Sequence, residues 1–309
     1  MSHIIITGGA GMIGRALAAE LAQAHYAVIV LSRNPDRVAG LPPAVRAERW
    51  DGKTAHGWGR LAEGAAAIVN LAGESIAGES LFSGRWTPER KQQIRQSRLD
   101  AGAAVVEATR AAFIKPRVVI QASGVGYYGP LGDQPVTEAG RAGDDFLATV
   151  AGQWEDSTAA VETLGVRRAI IRTGVVLSTA GGALPRLLLP YRFFVGGPLG
   201  GGRQWLSWIH MADQVAAIRF LIETSGAAGA FNLAAPNPLT NAAFGKIVGK
   251  VMRRPSFVPV PAFVLCLLLG PMATTVLDGQ RAVQQRLLEL GFTFRFPEAE
   301  AALRDLLMT

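Results

Sequence analysis

Near its start the chain reads Ile4-Ile5-Ile6-Thr7-Gly8-Gly9-Ala10-Gly11-Met12-Ile13-Gly14-Arg15, a β-branched run, a glycine-rich turn and an amphipathic helix in immediate succession. A strand that turns on glycine directly into a helix aims the first helical amides off the strand end, a geometry suited to pyrophosphate. Gly8 is read as the tight-turn residue, Gly11 as the point of close backbone approach and Gly14 as the helix–strand contact. Thr7, Met12, Ile13 and Arg15 complete the loop. Glycines at this spacing also occur in ordinary turns; the strand before them and the helix after them select the dinucleotide reading.

The rest of the chain extends that unit. Strand-length apolar runs (His3–Thr7, Ala27–Leu31, Ala66–Leu71, Val118–Gln121, Ala169–Arg172) alternate with helical patterns (Gly11–Gln23, Pro88–Phe113, Asp144–Leu164). This alternation predicts a Rossmann-type, doubly wound parallel α/β sheet. The expected division is a nucleotide-binding domain over residues 1–175 and a smaller, mostly helical C-terminal substrate lobe over 176–309. A strand-helix return near 205–233 joins the first domain, with a strand at Trp205–Ile209, a helix at Ala212–Thr224 and a strand at Ala230–Leu233. The Gly/Pro-rich stretch Gly181–Gly202 reads as substrate-facing loops.

Thirty-one Lys and Arg against 24 Asp and Glu give a net charge of +7, which favours anionic partners. The arginines are scattered and no nucleic-acid-binding signature accompanies them, so a phosphate-bearing small molecule accounts for the charge better than nucleic acid does. The lone Cys266 forms no intrachain disulfide, and no His/Asp/Glu set has metal-ligand spacing, so no metal is expected. A reducing, cytoplasmic setting and no secretory leader are the matching expectations. The uncharged stretch Phe257–Leu277 is broken by Pro259, Pro261, Gly270 and Pro271, and is read as holding a buried or partner-facing helix rather than a membrane span. A homo-oligomer remains open.

The second strand runs into Ser32-Arg33, where a site built for NAD usually places a carboxylate on the ribose 2′-hydroxyl. Arg33, with Arg15, instead suits the extra phosphate, which favours NADP(H) over NAD(H). Either arginine also reads as a solvated surface charge. Asp51, beyond the third strand, fits an adenine contact or an ordinary loop carboxylate.

Further motifs follow: Asn70-Leu71-Ala72-Gly73-Glu74, Arg85-Trp86-Thr87 with Lys91 and Ser97-Arg98, Gly126-Tyr127-Tyr128-Gly129, Arg172-Thr173-Gly174, and Trp208-Ile209-His210 with Asp213. Together with the glycine turn they resemble the extended short-chain dehydrogenase/reductase family, more narrowly its atypical NAD(P)-dependent epimerase-like subfamily with a helical C-terminal extension. The resemblance covers nearly the whole chain. It implies that Leu71, Ala72 and Gly73 line the cofactor near its ribose, that Ala122 and Ser123 end the fifth strand beside the nicotinamide, and that Thr173 and Gly174 flank its other side.

The resemblance stops at the acid/base pair. Enzymes of the wider family use a Tyr-x-x-x-Lys pair on one helix face, but here Phe146 falls at the tyrosine position and Val150 at the lysine position, and neither exchanges a proton. The usual hydroxyl position falls on Gly124, with Ser123 one residue earlier. Ser123, Tyr127 and Tyr128 are therefore the candidate catalytic hydroxyls, with pocket wall as their alternative role. Glu74 is a candidate base or substrate acceptor, or simply a loop carboxylate. Arg85, Arg98 and Arg203 are candidates to hold an anionic substrate group, Arg203 foremost because Gly200-Gly201-Gly202 precedes it, whereas Arg98 can equally pair with a carboxylate inside the fold. His210 reads more readily as structural than catalytic, and Asp213 as a cap or anchor at the start of the next helix. Two functions fit these residues: an NADP(H)-dependent, epimerase-like oxidoreductase acting on a small polar substrate with a non-standard acid, or a catalytically impaired NADP(H)-sensing or regulatory protein acting through a partner at Ala262–Leu269.

Overall fold

The computed structural model describes residues 2–38, 40–78 and 85–308. Seven strands form one parallel sheet: β1 (His3–Thr7), β2 (Ala27–Ser32), β3 (Val45–Arg49), β4 (Ala67–Asn70), β5 (Val118–Gly124), β6 (Arg167–Thr173) and β7 (Gly229–Leu233). Their spatial order is β7-β6-β5-β4-β1-β2-β3. The order reverses about β1, so the crevice of a doubly wound sheet opens at the carboxyl ends of β1 and β4.

Near-continuous Val and Ile runs make these strands because both faces are covered. Along β1, Ile4 and Ile6 pack on one layer with Leu17 and Leu21 of helix α1 (Met12–Gln23), while Ile5 packs on the other with Ala101, Ala104 and Val105 of α2 (Pro88–Ala111). All three isoleucines are fully buried, each contributing up to about 1.5–3 kcal/mol of apolar burial. Helices α3 (Phe146–Asp156) and α5 (Met211–Glu223) complete the layers, and α4 (Leu184–Arg192), α6 (Asn241–Met252), α7 (Ala262–Leu269) and α8 (Ala299–Met308) follow in the C-terminal half.

Four local expectations differ from the structure. Trp205–Ile209 does not enter the main sheet: Trp205–Leu206 pairs antiparallel with Leu239–Thr240, and Trp208–His210 pairs parallel with Val175–Leu177. The helical pattern Asp144–Leu164 divides into α3 and a short turn at Ala160–Thr163. The Gly/Pro-rich stretch contains α4, which begins with Pro185 in its first turn, where a missing N–H costs nothing, and stops two residues after Pro190. Of the two expected settings for α7, buried or partner-facing, the buried one does not hold, since Leu265 alone of its side chains is buried.

The lobe has its own core around Leu184, Leu188, Trp208, Phe244, Val248 and Leu303. The chain then folds back onto the first domain. Phe292 and Phe294 join the core beneath α1 and α5, and the Arg286 guanidinium donates to the carbonyls of Ala228 (2.6 Å) and Ala230 (2.7 Å) along β7. Asp213 accepts the amides of Arg295 (2.7 Å) and Phe296 (2.9 Å), so of its two expected roles, cap or anchor, it takes that of anchor for this return. The cap is His210, whose Nδ1 accepts the Ala212 amide at 3.1 Å, while its ring packs 4.0 Å from Phe296 and its Nε2 lies 3.4 Å from Asp305.

An accepting Nδ1 carries no proton, so the cap requires neutral imidazole. Burial lowers the His210 pKa below the ordinary 6.5, with the nearby Asp305 and Asp213 opposing. A depressed folded-state value means that the unfolded chain takes up the proton first as pH falls. Stability is therefore expected to be lost on acidification from about pH 6.5 down to the folded-state value. A His210→Gln variant in thermal melts across that range should lack this component; an unchanged pH profile would refute the assignment. Among the described residues, no helix is long and apolar enough to cross a membrane.

Candidate functional site

The glycine turn supplies the first wall. Gly8 has φ +68°, and a Cβ there would lie 2.9 Å from the Leu71–Ala72 backbone, so the β1–α1 turn and the end of β4 meet at a distance only glycine permits. A Cβ on Gly14 would lie 2.5 Å from Gly9 Cα and 2.6 Å from the Gly8 carbonyl, which seats α1 on its own turn. Gly9, in the turn itself, adds a second close approach, since a Cβ there would lie 2.5 Å from the Val30 side chain of β2. Gly11 occupies the N-cap position of α1 and provides no side-chain cap. The first-turn amides of Met12, Ile13 and Gly14 thus point from the helix end without a side-chain acceptor, which is the donor set an anion needs.

A buried polar ladder ties the strand ends together. Thr7 Oγ1 donates to Asn70 Oδ1 (2.6 Å), Asn70 Nδ2 donates to Gln121 Oε1 (2.9 Å), and Thr7 Oγ1 also accepts the Ala72 amide (3.3 Å). The Leu71 amide donates to the Thr7 carbonyl (3.2 Å) and Gln121 Nε2 donates to the Ala122 carbonyl (2.7 Å), so Leu71, Ala72 and Ala122 are tied to the same ladder. On the far side Thr173 Oγ1 accepts from Gln214 Nε2 (3.1 Å), and Gly174 runs so close to Ser207 that a Cβ would lie 2.5 Å from its carbonyl oxygen.

Helix α2 grips the loop after β4, which accounts for the separated Asn70–Glu74 and Ser97-Arg98 motifs. Ser97 Oγ accepts the Glu74 amide (3.0 Å), Arg98 donates to the Glu74 carbonyl (3.0 Å), Arg90 donates to the Ser75 carbonyl, and Trp86 Nε1 donates to the Ile76 carbonyl (3.0 Å). Arg98 is buried and lies over the Trp154 ring at 4.7 Å; desolvation lowers its pKa to about 10, partly offset by Glu74. It pairs with backbone carbonyls, not with an inward carboxylate, and its buried position commits it to the loop instead of a substrate anion.

The Glu74 carboxylate stands between two guanidiniums, Arg90 at 3.3 Å and Arg33 at 3.7 Å. Arg33 is 73% exposed at the end of β2. Arg15 turns its Nε to the Ala10 carbonyl (2.9 Å) and so braces the glycine turn. Asp51 accepts the amides of Lys53 (2.7 Å) and Thr54 (2.9 Å) and the Thr54 hydroxyl (2.7 Å). Slight burial works against its charge, but these donors outweigh it and hold its pKa below the ordinary range.

The three candidate hydroxyls have different surroundings. Ser123 Oγ donates to Glu155 Oε1 at 2.7 Å, and Glu155 forms a buried two-point pair with Arg172 at 2.8 and 2.9 Å. Tyr128 is 1% exposed; its hydroxyl donates to Asn232 (2.7 Å) and accepts from Arg172 (3.1 Å). Burial raises the Tyr128 pKa, with Arg172 opposing. Burial alone would lower Arg172, but Glu155 more than compensates and keeps the guanidinium charged. Tyr127 is half-buried with its ring under the Arg172 guanidinium, 3.5 Å from it, and its hydroxyl has no hydrogen-bond partner among the described residues.

Phe146 begins α3 and packs edge-on to Trp86 at 4.9 Å, with the Lys91 ammonium 4.9 Å from the Phe146 ring centre. Arg85 is exposed beside Gly270 and Arg203 is exposed on the lobe, and among the described residues neither makes a hydrogen bond or ion pair with Glu74. Sequence reasoning missed Arg90, Glu155, Asn232 and the placement of Lys91. No local signal separates the buried Glu155 from its exposed neighbour Asp156.

Residues 4–149 match the model of the NAD dependent epimerase/dehydratase family, and residues 260–306 match a domain of unknown function, DUF1731. The epimerase family protein YfhF of Bacillus subtilis is 38% identical over 310 residues, covering 99% of this chain and 98% of that protein. Human epimerase family protein SDR39U1 (isoform 2), solved with NADPH, superposes with a TM-score of 0.87 at 31% identity over 99% of both chains. A nucleoside-diphosphate sugar epimerase of Corynebacterium glutamicum gives 0.78 at 33% identity, covering 99% of this chain and 58% of that one. With the glycine turn, the strand-end ladder and the C-terminal return all in place, this chain belongs to the NAD dependent epimerase/dehydratase family.

Proposed function

We propose that the protein binds NADP(H) across the carboxyl ends of β1, β4, β5 and β6 and acts as an epimerase-like oxidoreductase on a small polar substrate. The observation that carries this reading is an uncapped α1 N-terminus facing the crevice, with β2 ending in Ser32 and an exposed Arg33 in place of an acidic residue, and with the nearby Glu74 carboxylate also held by Arg90. The presence of NADPH in the human relative supports the same choice. In this arrangement Gly8, Gly11 and the Met12–Gly14 amides hold the pyrophosphate. Arg33 exchanges its loose contact with Glu74 for the phosphate while Arg90 retains that carboxylate. Leu71–Gly73 line the ribose, Asp51 shapes the adenine end, and Ala122, Thr173 and Gly174 enclose the nicotinamide. The bound cofactor supplies hydride chemistry.

The proton is assigned to Tyr127, whose hydroxyl is uncommitted, whereas Ser123 and Tyr128 already donate to Glu155 and Asn232. Lys91, over Phe146, is the second proton carrier in this reading. Fluorescence titration should show NADPH bound more tightly than NADH. Arg33→Ser is expected to weaken NADPH about tenfold or more and leave NADH nearly unchanged, the loss of one charge-assisted contact. Equal affinities in the wild-type chain would defeat the cofactor assignment. Deuteride transfer from labelled NADPH to a panel of carbonyl compounds then tests the chemistry; tight binding with no transfer to any of them would favour the sensing protein.

A further inference from the structure

Helix α7 is built entirely of apolar residues and one cysteine, yet only Leu265 is buried. Surface helices ordinarily turn a polar face outward. Phe263 and Leu267 on this helix, and Phe257 before it, are between 72% and 76% exposed. The patch continues onto the end of α4. Residues 196–199 run beside 256–260 through bridges Gly196–Ser256 and Leu199–Val260, bringing exposed Phe193, Phe194 and Val195 alongside Phe257. Single exposed apolar residues need no explanation, but two adjoining segments of Phe, Leu and Val do.

Charge identifies the occupant. From Thr163 to Ala212 and again from Thr224 to Leu277 the sequence contains no Asp or Glu. Those stretches place Arg192, Lys246 and Arg253 at the surface, each exposed and with no carboxylate in ion-pair range among the described residues. Arg254 lies over the Phe194 ring at 4.2 Å, carrying a cation into the apolar patch itself. Lys250 is the exception, paired with Glu300 at 2.7 Å. A second copy on this face would set one cationic surface against another, whereas exposed Phe and Leu rimmed by unpaired cations match the acyl boundary and headgroups of an acidic bilayer. No described helix can span, so contact is confined to the interface.

We propose that α7 and the adjoining turns at Phe193–Val195 and Phe257 form a surface that docks on anionic membranes, with the apolar side chains entering the headgroup boundary and Arg192, Lys246 and Arg253 engaging acidic lipid. Co-sedimentation of the full chain with phosphatidylcholine vesicles containing roughly one third phosphatidylglycerol, against phosphatidylcholine alone, tests it. Binding should appear with the acidic vesicles and weaken with added salt. Phe263→Ser with Leu267→Ser is expected to reduce it about 100-fold. Arg192→Gln with Arg253→Gln is expected to reduce it about tenfold. Phe257→Ser, outside the helix, should weaken binding even if the helix variant folds poorly, and unchanged NADPH titration verifies the fold of each variant. The proposal is overturned by absent or lipid-indifferent binding, by binding that survives the serine variants, or by a wild-type dimer in sedimentation equilibrium that those variants dissociate, which would give the surface to a second copy.

Discussion

Replacing Arg172 with methionine is expected to destabilise the protein by about 3–5 kcal/mol, because Glu155 would be left charged at 7% exposure with only the Ser123 hydroxyl to hold it. The same guanidinium also donates to the Tyr128 hydroxyl and to the Glu138 carbonyl, so its loss frees two further buried acceptors. Urea denaturation should show a lower midpoint with an unchanged slope. Glu155→Gln, which keeps the shape and removes the charge, should be harmful in the same direction because it strands the arginine. Joint replacement of Arg172 by Met and Glu155 by Leu should recover much of the loss, since no buried charge then remains unpaired. A cost below about 1 kcal/mol for Arg172→Met would mean that water reaches the pair and that the network is not the buried scaffold described above.

Gly14→Ala is expected to abolish most cofactor affinity, on the order of 100-fold, and to lower stability by about 1–3 kcal/mol. The added methyl meets backbone at 2.5 and 2.6 Å, where no flexible side chain can yield, so α1 must move off the turn and take its first amides with it. Gly11→Ala separates the two effects. Its nearest protein atom would be the Gly8 carbonyl at 3.2 Å, a far milder approach, so stability should stay close to wild type while a methyl at the helix entrance still obstructs a bound pyrophosphate. Dinucleotide titration and thermal melts on the pair provide the comparison. Wild-type affinity in Gly14→Ala would remove the turn from the proposed binding site.

The parts of the fold that were legible in the sequence are those in which local pattern and burial coincide. Ile4–Ile6, Val28–Leu31 and Val118–Ile120 read as strands because they are apolar on both faces, and the glycine turn read as a strand–helix joint because a β-branched run precedes it and an amphipathic pattern follows it. What escaped was set by partners distant in sequence. Trp205 and Trp208 are neighbours along the chain yet belong to two separate two-stranded pairings, with Leu239–Thr240 and Val175–Leu177, which alternation cannot reveal. Arg172 and Glu155 are 17 residues apart on a strand and a helix, outside any local period. Ser123 and Tyr128 stood out in the sequence as hydroxyls at and just beyond the end of β5, but only the fold shows their protons turned toward Glu155 and Asn232. Arg98 likewise had no sequence signal for its role, which is to fasten the loop carrying Glu74.

The two Arg286 bonds to Ala228 and Ala230 bear on more than local packing. An outermost strand with free carbonyls is a template on which other chains can polymerise. Here that template is stoppered by a guanidinium from the matched C-terminal region, while the opposite border at β3 carries Arg46, Glu48 and Arg49. The C-terminal return thus also occupies two carbonyls at one border of the sheet, where a foreign strand would otherwise find acceptors, and charged side chains stand along the other.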